Sequence, residues 1–272
     1  MEQFLWLVPL GFVVGTFGTL IGAGGGFILV PVLLLLYPDK SPETITSISL
    51  AIVFVNSLSG SIAYAGMKKI DYRSGLIFAA ATLPGSIAGS LITGYIPRNI
   101  FDGIFGVLLI CGSIYLLIKP ENKNASNSKT ISHSITRTVT DADGNSYTFS
   151  YNIAVGIVVS IFVGFISSLL GIGGGIIHVP VLIQALNFPV HIATATSHFV
   201  LAVMSLSGTI VHIASGLLSK SVLQTIALSI GVIFGAQLGA RLSKKLKGGW
   251  IVRGLAAALG LAGIRILIMM FR

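Results

Sequence analysis

The chain has 272 residues, of which 54% are hydrophobic and 9% charged, and its mean hydropathy is +0.94. Soluble domains carry about 25% charged residues, and a soluble fold of this length could not bury so much apolar surface. The composition therefore argues against a soluble enzyme, a nucleic-acid-binding protein and a disordered chain. Despite the net charge of +9, it indicates a polytopic membrane protein.

Ten apolar segments follow one another along the chain, with one long polar stretch between the fifth and the sixth. They lie at 4–21, 27–37, 44–65, 74–94, 100–118, 152–170, 176–188, 190–216, 221–242 and 250–270. Most approach the roughly 20 residues that a helix needs to cross hydrocarbon. Segments 27–37 and 176–188 are too short, because a helix rises only about 1.5 Å per residue. The first segment has no basic residues before it, so we expect it to be retained rather than cleaved as a signal peptide.

The polar stretch 119–151 contains a hairpin pattern. Apolar and hydroxyl residues alternate up to Val139, the residues 141–145 read Asp-Ala-Asp-Gly-Asn, and aromatic residues then alternate to Tyr151. Alternation on both sides of a turn signal predicts a short β-hairpin, which we expect outside the bilayer. A disordered linker is the alternative. The chain is thus expected to divide into a first transmembrane repeat at 1–118, this linker, and a second repeat at 152–272.

The two halves of the chain resemble each other. Residues 22–33, 57–60 and 85–89 match residues 171–182, 205–208 and 235–239 at offsets of 149, 148 and 150. Three matches in the same order at nearly one offset predict an internal duplication. The predicted fold is therefore an all-α polytopic membrane protein with two repeats of about five hydrophobic segments, each with a short helix that begins at a glycine break.

The basic loops predict how the repeats are oriented. Loops 66–73 and 241–249 are the most basic of those between apolar segments, so both are expected in the cytoplasm. An even number of crossings must then separate them, which requires the short segment 176–188 to cross or to form half of a re-entrant hairpin. The repeats are then inverted, with both termini outside and the linker 119–151 in the cytoplasm. The expected location is the cell (inner) membrane.

Two glycine-rich breaks, at 22–26 and 171–175, interrupt the apolar segments at matched positions. Irregular backbone inside a membrane is tolerated only where protein or a water-filled cavity covers it. A short helix follows each break, so its free N–H groups and positive dipole end are expected to face the middle of the bilayer. Two such ends facing each other would form an anion site. The alternative is close helix packing through small residues, which is the role predicted for Gly85, Gly89, Gly231, Gly235 and Gly239.

The sequence resembles the TauE/SafE sulfite-exporter family, also called the 4-toluene sulfonate uptake permeases. The resemblance rests on the paired glycine breaks followed by Val-Pro, on the Thr-Ser starts at 46–49 and 194–197, and on the segment 235–242. It covers both halves but not the linker. The second half has Arg241 where the first half has Leu91, so a role for that arginine is not duplicated. The resemblance implies transport of sulfur-containing anions, such as sulfite or organosulfonates, and fixes the exact anion poorly.

Polar residues at helical spacing mark one face of segment 190–216, from His191 to His212, and a matching face of segment 44–65. Polar groups inside a membrane usually face the bundle interior and mark a pathway, although interhelical hydrogen bonding is the alternative. The residues expected to bind the anion are Gly24, Gly25, Gly26, Thr46, Ser47, Ser49, Asn56, Gly173, Gly174, Gly175, Thr194, Thr196, Ser197 and His198.

Two histidines, His178 and His198, are candidates for proton coupling, although a neutral, hydrogen-bonded histidine explains His178 equally well. His191 and His198 are about 10 Å apart along a helix, too far to share one zinc ion, so no metal site and no cofactor are expected. The sequence contains no HExxH, GxSxG or Walker motif, and an enzyme is not expected.

The function predicted from the sequence is a secondary transporter for small sulfur-containing anions that works by alternating access. Export is weakly favoured, because an inside-negative potential of 100 mV drives a monoanion outward by about 2.3 kcal/mol. The alternatives are proton-coupled uptake of a sulfonate or another small organic acid, and an anion channel. The expected partners are the anion and the lipid bilayer, with no nucleic acid, and a homo-oligomer is left open.

Overall fold

The computed structural model describes residues 5–118, 134–243 and 249–270. Ten α-helices and two strands lie in these ranges. In chain order they are α1 (Leu7–Ile21), α2 (Gly26–Leu36), α3 (Pro42–Gly66), α4 (Tyr72–Ile92), α5 (Arg98–Ile118), β1 (Ser134–Thr140), β2 (Ser146–Asn152), α6 (Ile153–Leu170), α7 (Gly175–Gln184), α8 (Val190–Ala214), α9 (Val222–Leu242) and α10 (Gly249–Met270). Single 3₁₀ turns precede α5 and α9.

All ten predicted apolar segments are helical, which confirms an all-α polytopic membrane protein with one small hairpin. Five helices of the described ranges are long and apolar enough to cross a membrane: α3, α4 with its 3₁₀ extension, α6, α8 and α9. The helices α2 and α7 have only 11 and 10 residues, as predicted. Helix α7 ends at Gln184, four residues before the predicted end of its segment.

Local sequence signals set where the central helices begin and end. Ser41 caps α3 through a hydrogen bond from the Thr44 N–H, and the next residue is a proline, which suits the first helical position. Asp71 caps α4 through its carboxylate. Helices α1 and α6 are capped at their C-terminal ends by Gly22 and Gly171, which both adopt a left-handed conformation that favours glycine.

The long helices pack in pairs that join the two halves of the chain. Helix α1 packs on α9, α6 packs on α4, and α3 lies against α8. Glycines allow this close approach: a Cβ added at Gly235 would lie 2.9 Å from the Thr16 N, and one at Gly85 would lie 2.8 Å from the Phe165 N. Real Cβ atoms essentially never come so close, which confirms that these glycines form packing surfaces.

The predicted hairpin is present, so the alternative of a disordered linker is wrong for its described part. Strands β1 and β2 are antiparallel, with Ser134 opposite Asn152. The rings of Phe149 and Tyr151 are buried and pack on Phe188, in the loop after α7. The hairpin is therefore docked on the helical body. Residues 119–133, which complete the predicted linker, lie outside the described residues.

Hydrogen bonds hold the hairpin turn. The Asp141 carboxylate accepts from the backbone N–H groups of Asp143 and Asn145, and the Ala142 N–H donates to the Met67 carbonyl after α3. Burial raises the pKa of Asp141. The hydrogen bonds, above all those from Asn145, lower it, and so does the charge of Lys69, so that the pKa lies below its ordinary value of 3.8. The turn thus favours an ionised Asp141.

The hairpin runs without a spacer into the second half. Strand β2 ends at Asn152, whose side chain accepts from the N–H groups of Ala154 and Val155 and so caps α6. The division into three domains and the inverted orientation of the repeats stay predictions. Part of the basic loop 241–249 used for the orientation, residues 244–248, lies outside the described residues.

Candidate functional site at the paired glycine turns

The two glycine turns meet in the interior of the protein. A Cβ added at Gly26, the first residue of α2, would lie 2.8 Å from the Ile172 carbonyl carbon. A Cβ added at Gly175, the first residue of α7, would lie 3.0 Å from the Ala23 carbonyl carbon. Each helix start therefore packs against the turn that precedes the other short helix, backbone against backbone.

The backbone of both turns is irregular, as the sequence predicts. Gly24 and Gly25 have φ angles of +77° and +83°, and Gly173 and Gly174 have φ angles of +80° and +65°. This left-handed region is open to glycine at no steric cost. Helices α2 and α7 begin directly after these residues, and the first N–H groups of a helix have no acceptor within it. The arrangement therefore brings two sets of N–H donors and two positive dipole ends into one buried region.

Helices α3 and α8 supply hydroxyl groups to the turns in a reciprocal way. Ser49 Oγ on α3 donates to the Gly171 carbonyl at 2.6 Å, and Ser197 Oγ on α8 lies 3.5 Å from the Gly22 carbonyl. Ser49 and Ser197 occupy equivalent positions in the predicted duplication, as do the two glycines. The same bond therefore occurs twice, with the halves exchanged.

Two threonines repeat the pattern. A Cβ added at Gly22 would lie 2.7 Å from Thr194 Cγ2, and one at Gly171 would lie 3.1 Å from Thr46 Cγ2. The structure thus brings the predicted residues Thr46, Ser49, Thr194 and Ser197 to the glycine turns.

A buried polar network joins α1, α3 and α8 beside the first turn. Thr19 Oγ1 donates to Asn56 Oδ1 at 2.8 Å and lies 3.2 Å from His198 Nε2. The Tyr64 hydroxyl donates to the Thr19 carbonyl at 2.9 Å, and its ring meets the His198 ring edge-on. Gly60 makes room for the imidazole, because a Cβ there would lie 2.7 Å from His198 Nε2.

Many buried polar atoms on the helices that surround the turns have no hydrogen-bond partner within the described part of the chain, and some of them, such as His212 Nε2, lie farther along these helices. On α3, α6 and α8 these are Thr46 Oγ1, Asn56 Nδ2, Ser57 Oγ, Ser61 Oγ, Ser167 Oγ, His198 Nδ1 and His212 Nε2. Unsatisfied buried polar groups cost about 1–3 kcal/mol each and call for an explanation. A polar ligand that binds here in another conformation would supply the missing partners.

Three predicted residues have other contacts. Ser47 Oγ donates to the Thr44 carbonyl of its own helix, and Thr196 Oγ1 accepts from the Asp71 N–H at the start of α4. His178 lies on α7 with Nδ1 3.3 Å from Ser197 Oγ, so it is joined to the Gly22 turn through that serine.

The polar face of α8 is shorter than the sequence predicts. His191, its expected first member, is exposed, whereas Thr194, His198, Ser205 and His212 are buried. His191 is the second residue of α8, where the helix has just left the loop and its polar face is not yet covered.

Sequence reasoning missed Thr19 and Ser167, which precede the glycine turns on α1 and α6. Thr19 contacts Asn56 and His198, and the Ser167 hydroxyl would lie 2.6 Å from a Cβ at Gly174. The predicted duplication contained a signal for Thr19 alone, because Thr19 stands three positions before Gly22 as Ser168 stands before Gly171, whereas Ser167 stands four positions before Gly171 and matches Gly18.

The site is closed in this conformation. The side chains of Thr46, Ser49, Asn56, Ser197 and His198 are all 0% exposed. Because the two glycine turns also touch through their backbones, an anion can enter between them only when the turns separate.

Polar contacts tie down the loops at both ends of α3. At its C-terminal end the Asp71 N–H donates to Thr196 on α8, and Asp71 also accepts from Ser74, whose hydroxyl lies 2.5 Å from the Tyr151 hydroxyl of the hairpin. At its N-terminal end Lys40 Nζ donates to Gln224 at the start of α9. The 25 residues of α3 separate these two links by about 37 Å.

Comparison with known proteins identifies the family. The sequence profile described as "Sulfite exporter TauE/SafE" matches residues 7–266, which include both glycine turns and all of the polar network. The chain belongs to the TauE/SafE family. Its relatives include the probable membrane transporter protein YunE of Bacillus subtilis, which is 36% identical over 97% of both chains. No solved structure matches the chain.

More distant relatives have names of the same kind. The probable membrane transporter protein MJ0441 of Methanocaldococcus jannaschii is 29% identical over 98% of this chain and 97% of its own length. YfcA of Escherichia coli K12, also a probable membrane transporter protein, is 22% identical over 82% of this chain and 74% of its own. Family and relatives thus make this TauE/SafE protein a multi-pass membrane transporter rather than an enzyme. The names of these relatives specify neither a substrate nor a direction.

Proposed function

We propose that the protein is a secondary transporter of small sulfur-containing anions, such as sulfite or organosulfonates, and that it works by alternating access. The observation that carries the proposal is the meeting of two helix starts among buried, unpartnered hydroxyl groups. Tetrahedral and pyramidal sulfur oxyanions present several acceptor oxygens, which suit N–H donors at helix starts. The family profile, described as a sulfite exporter, supports the same class of substrate.

In this proposal the anion binds between the glycine turns. The oxygens accept hydrogen bonds from N–H groups of the turns and helix starts, on the residues Gly24 to Gly26 and Gly173 to Gly175. The N–H groups of Gly24 and Gly175 donate to the Gly18 and Gly173 carbonyls in the closed state and must be released when the turns separate. Thr46 and Asn56 donate from α3, since Thr46 Oγ1 and Asn56 Nδ2 have no other partner among the described residues. Thr194 and Ser197 line the opposite side.

Alternating access follows from the proposed duplication. The reciprocal contacts of Ser49 and Ser197, and the equivalent pairs α1–α9 and α4–α6, support two repeats that exchange roles. We expect one repeat to move against the other, so that the glycine turns separate toward one side of the membrane at a time. The proposed orientation places both termini outside and the hairpin in the cytoplasm.

Export needs no coupled ion, because the inside-negative potential drives an anion outward by about 2.3 kcal/mol per charge at 100 mV. Uptake of a sulfonate or another small organic acid is the second candidate and requires a coupled cation. His178 and His198 support it, since both are buried beside the glycine turns and His198 Nδ1 lacks a partner among the described residues. An uptake assay with a strict proton requirement would favour that second candidate.

Flux through proteoliposomes tests the proposal. Purified protein is assayed with sulfite, thiosulfate, sulfoacetate, taurine, sulfate and acetate at matched ionic strength, together with a thermal-unfolding panel of the same anions. We expect saturable flux and counterflow for at least one sulfur anion. Flux of acetate alone would refute the sulfur assignment, and flux without saturation or counterflow would indicate a channel.

A matched pair of variants tests the site. Thr46→Val removes a buried hydroxyl that has no partner, so the protein should fold at least as stably as the wild type, but transport should fall tenfold or more. Thr82→Val is the control, because Thr82 is equally buried on α4 and its hydroxyl bonds only the Ala79 carbonyl of its own helix. Normal transport by Thr46→Val would remove α3 from the proposed binding site.

A further inference from the structure

A cleft of about 480 Å³ separates the hairpin from the loop between α3 and α4. We call it the hairpin cleft. Its walls are β1 from Thr136 to Thr140 and the chain from Ala65 to Arg73. It lies where α3 ends and α4 begins, at the opposite end of α3 from the loop that holds Lys40. It is separate from the glycine turns, whose residues do not line it.

The position of Arg137 on the hairpin is unusual. Neighbouring residues on a strand point to alternate faces of the sheet, so Ile135, Arg137 and Val139 share one face. Their direct partners on β2, which are Tyr151, Phe149 and Tyr147, lie on the same face. That face packs on the helical body through Phe149 and Tyr151. A guanidinium on the packed face is costly unless an anion offsets it, and its Nε is buried with no partner among the described residues.

The lining of the cleft has an excess of positive charge. Three cations, Lys68, Arg73 and Arg137, face one carboxylate, Asp71. The Asp71 carboxylate already accepts from the Ser74 hydroxyl and N–H. Lys68 and Arg73 are exposed and so are free to turn toward a ligand in the cleft.

We propose that the hairpin cleft binds an organic phosphate, with the phosphate group between Arg137, Arg73 and Lys68. Arginine suits this role because its planar donors match phosphate oxygens in pairs. The volume exceeds what a single inorganic anion fills and lies within the range of small-molecule sites. Tyr72, an exposed aromatic residue in the lining, offers a surface for the organic part of the ligand.

Two sources can supply this chemistry. The cleft lies at the ends of α3 and α4, where headgroups of anionic lipids accumulate around basic residues. A soluble phosphorylated metabolite or nucleotide is the other source. Either ligand would hold the hairpin against the α3–α4 loop, where Asp71 bonds Thr196 next to Ser197 of the candidate transport site.

Thermal unfolding of the full chain in lipid nanodiscs separates the two sources. One arm adds ADP to protein in pure phosphatidylcholine, and the other compares phosphatidylcholine with a mixture containing phosphatidylglycerol, both at fixed ionic strength. We expect a rise of the unfolding midpoint in at least one arm. A rise with ADP identifies a soluble phosphate, and a rise with phosphatidylglycerol identifies a headgroup.

Charge-matched variants decide whether the cleft is responsible. Arg137→Gln should reduce the ligand-induced rise of the unfolding midpoint about tenfold or more, because it removes a charge-assisted hydrogen-bond donor. Arg137→Lys should restore part of this rise. Arg265→Gln removes the same charge from an exposed position on α10 and should leave the response unchanged. If Arg137→Gln does not fold, Arg73→Gln, at an exposed position, replaces it. No response in either arm, or an equal loss in Arg265→Gln, would overturn the proposal.

Discussion

The contact between the glycine turns can be tested by adding single methyl groups. A Cβ at Gly26 would overlap the Gly171 carbonyl oxygen and lie 2.8 Å from the Ile172 carbonyl carbon, whereas ordinary contacts begin at 3.4 Å, so the turns must separate by more than about 0.6 Å. Overpacking of this kind costs about 1–3 kcal/mol, and loss of glycine freedom in the unfolded chain returns about 0.4–1 kcal/mol. We therefore expect Gly26→Ala and Gly175→Ala each to lower the unfolding free energy by about 1–2 kcal/mol.

The assay combines thermal unfolding with flux. A loss of about 1–2 kcal/mol corresponds to a midpoint lower by roughly 2–8 °C, and transport should fall further, because the methyl group also occupies the proposed anion site. Gly66→Ala, at the end of α3, is the control: an added Cβ there meets nothing within 4 Å, so the protein should be as stable as the wild type or more stable by up to about 1 kcal/mol, and flux should stay at the wild-type level. If all three variants melt and transport alike, the turns do not pack as described.

Two further predictions concern the hairpin. Tyr151→Phe removes the hydroxyl that bonds Ser74 and should cost about 0.5–1.5 kcal/mol, measured by thermal unfolding; an unchanged midpoint would show that this bond does not hold the hairpin. The depressed pKa of Asp141 stabilises the turn above the ordinary value of 3.8, and this contribution should disappear as the pH falls through the lower value of the folded state. The protection of the turn amides from hydrogen exchange, relative to the intrinsic rate at each pH, should therefore fall below pH 3.8 in the wild type, and Asp141→Asn should remove this pH dependence; identical protection profiles would contradict it.

Hydropathy predicts the ten helices because the bilayer imposes both length and composition on a spanning segment. The two exceptions were equally predictable, since 27–37 and 176–188 are too short to span and follow glycines. The hairpin was predictable from alternation on either side of the 141–145 turn. In each case one local rule, length or period, decides the element.

The partners of these elements were not predictable in the same way. A period states which residues share a face but not which surface covers that face. Nothing in the sequence indicated that Tyr151 of the hairpin would bond Ser74 or pack on Phe188. Thr19 was missed for a related reason: it is one of two hydroxyl residues in an apolar helix, and only the fold places it between Asn56 and His198.

The closed glycine turns constrain any alternating-access mechanism. A ligand can shift a conformational equilibrium only by the difference in its affinity for the two states. In the closed state the glycine turns touch and the lining side chains are buried, so an anion gains nothing from that state. Binding must then select conformations in which the turns are apart.

The links that compete with this opening lie at the two ends of α3: Asp71 with Thr196, and Lys40 with Gln224. They join α4 to α8 and the α3 entry loop to α9, and α4 and α9 are equivalent in the proposed duplication. In the proposed mechanism we expect that breaking one link while the other holds opens one side only, which is the asymmetry that a transporter requires and a channel does not.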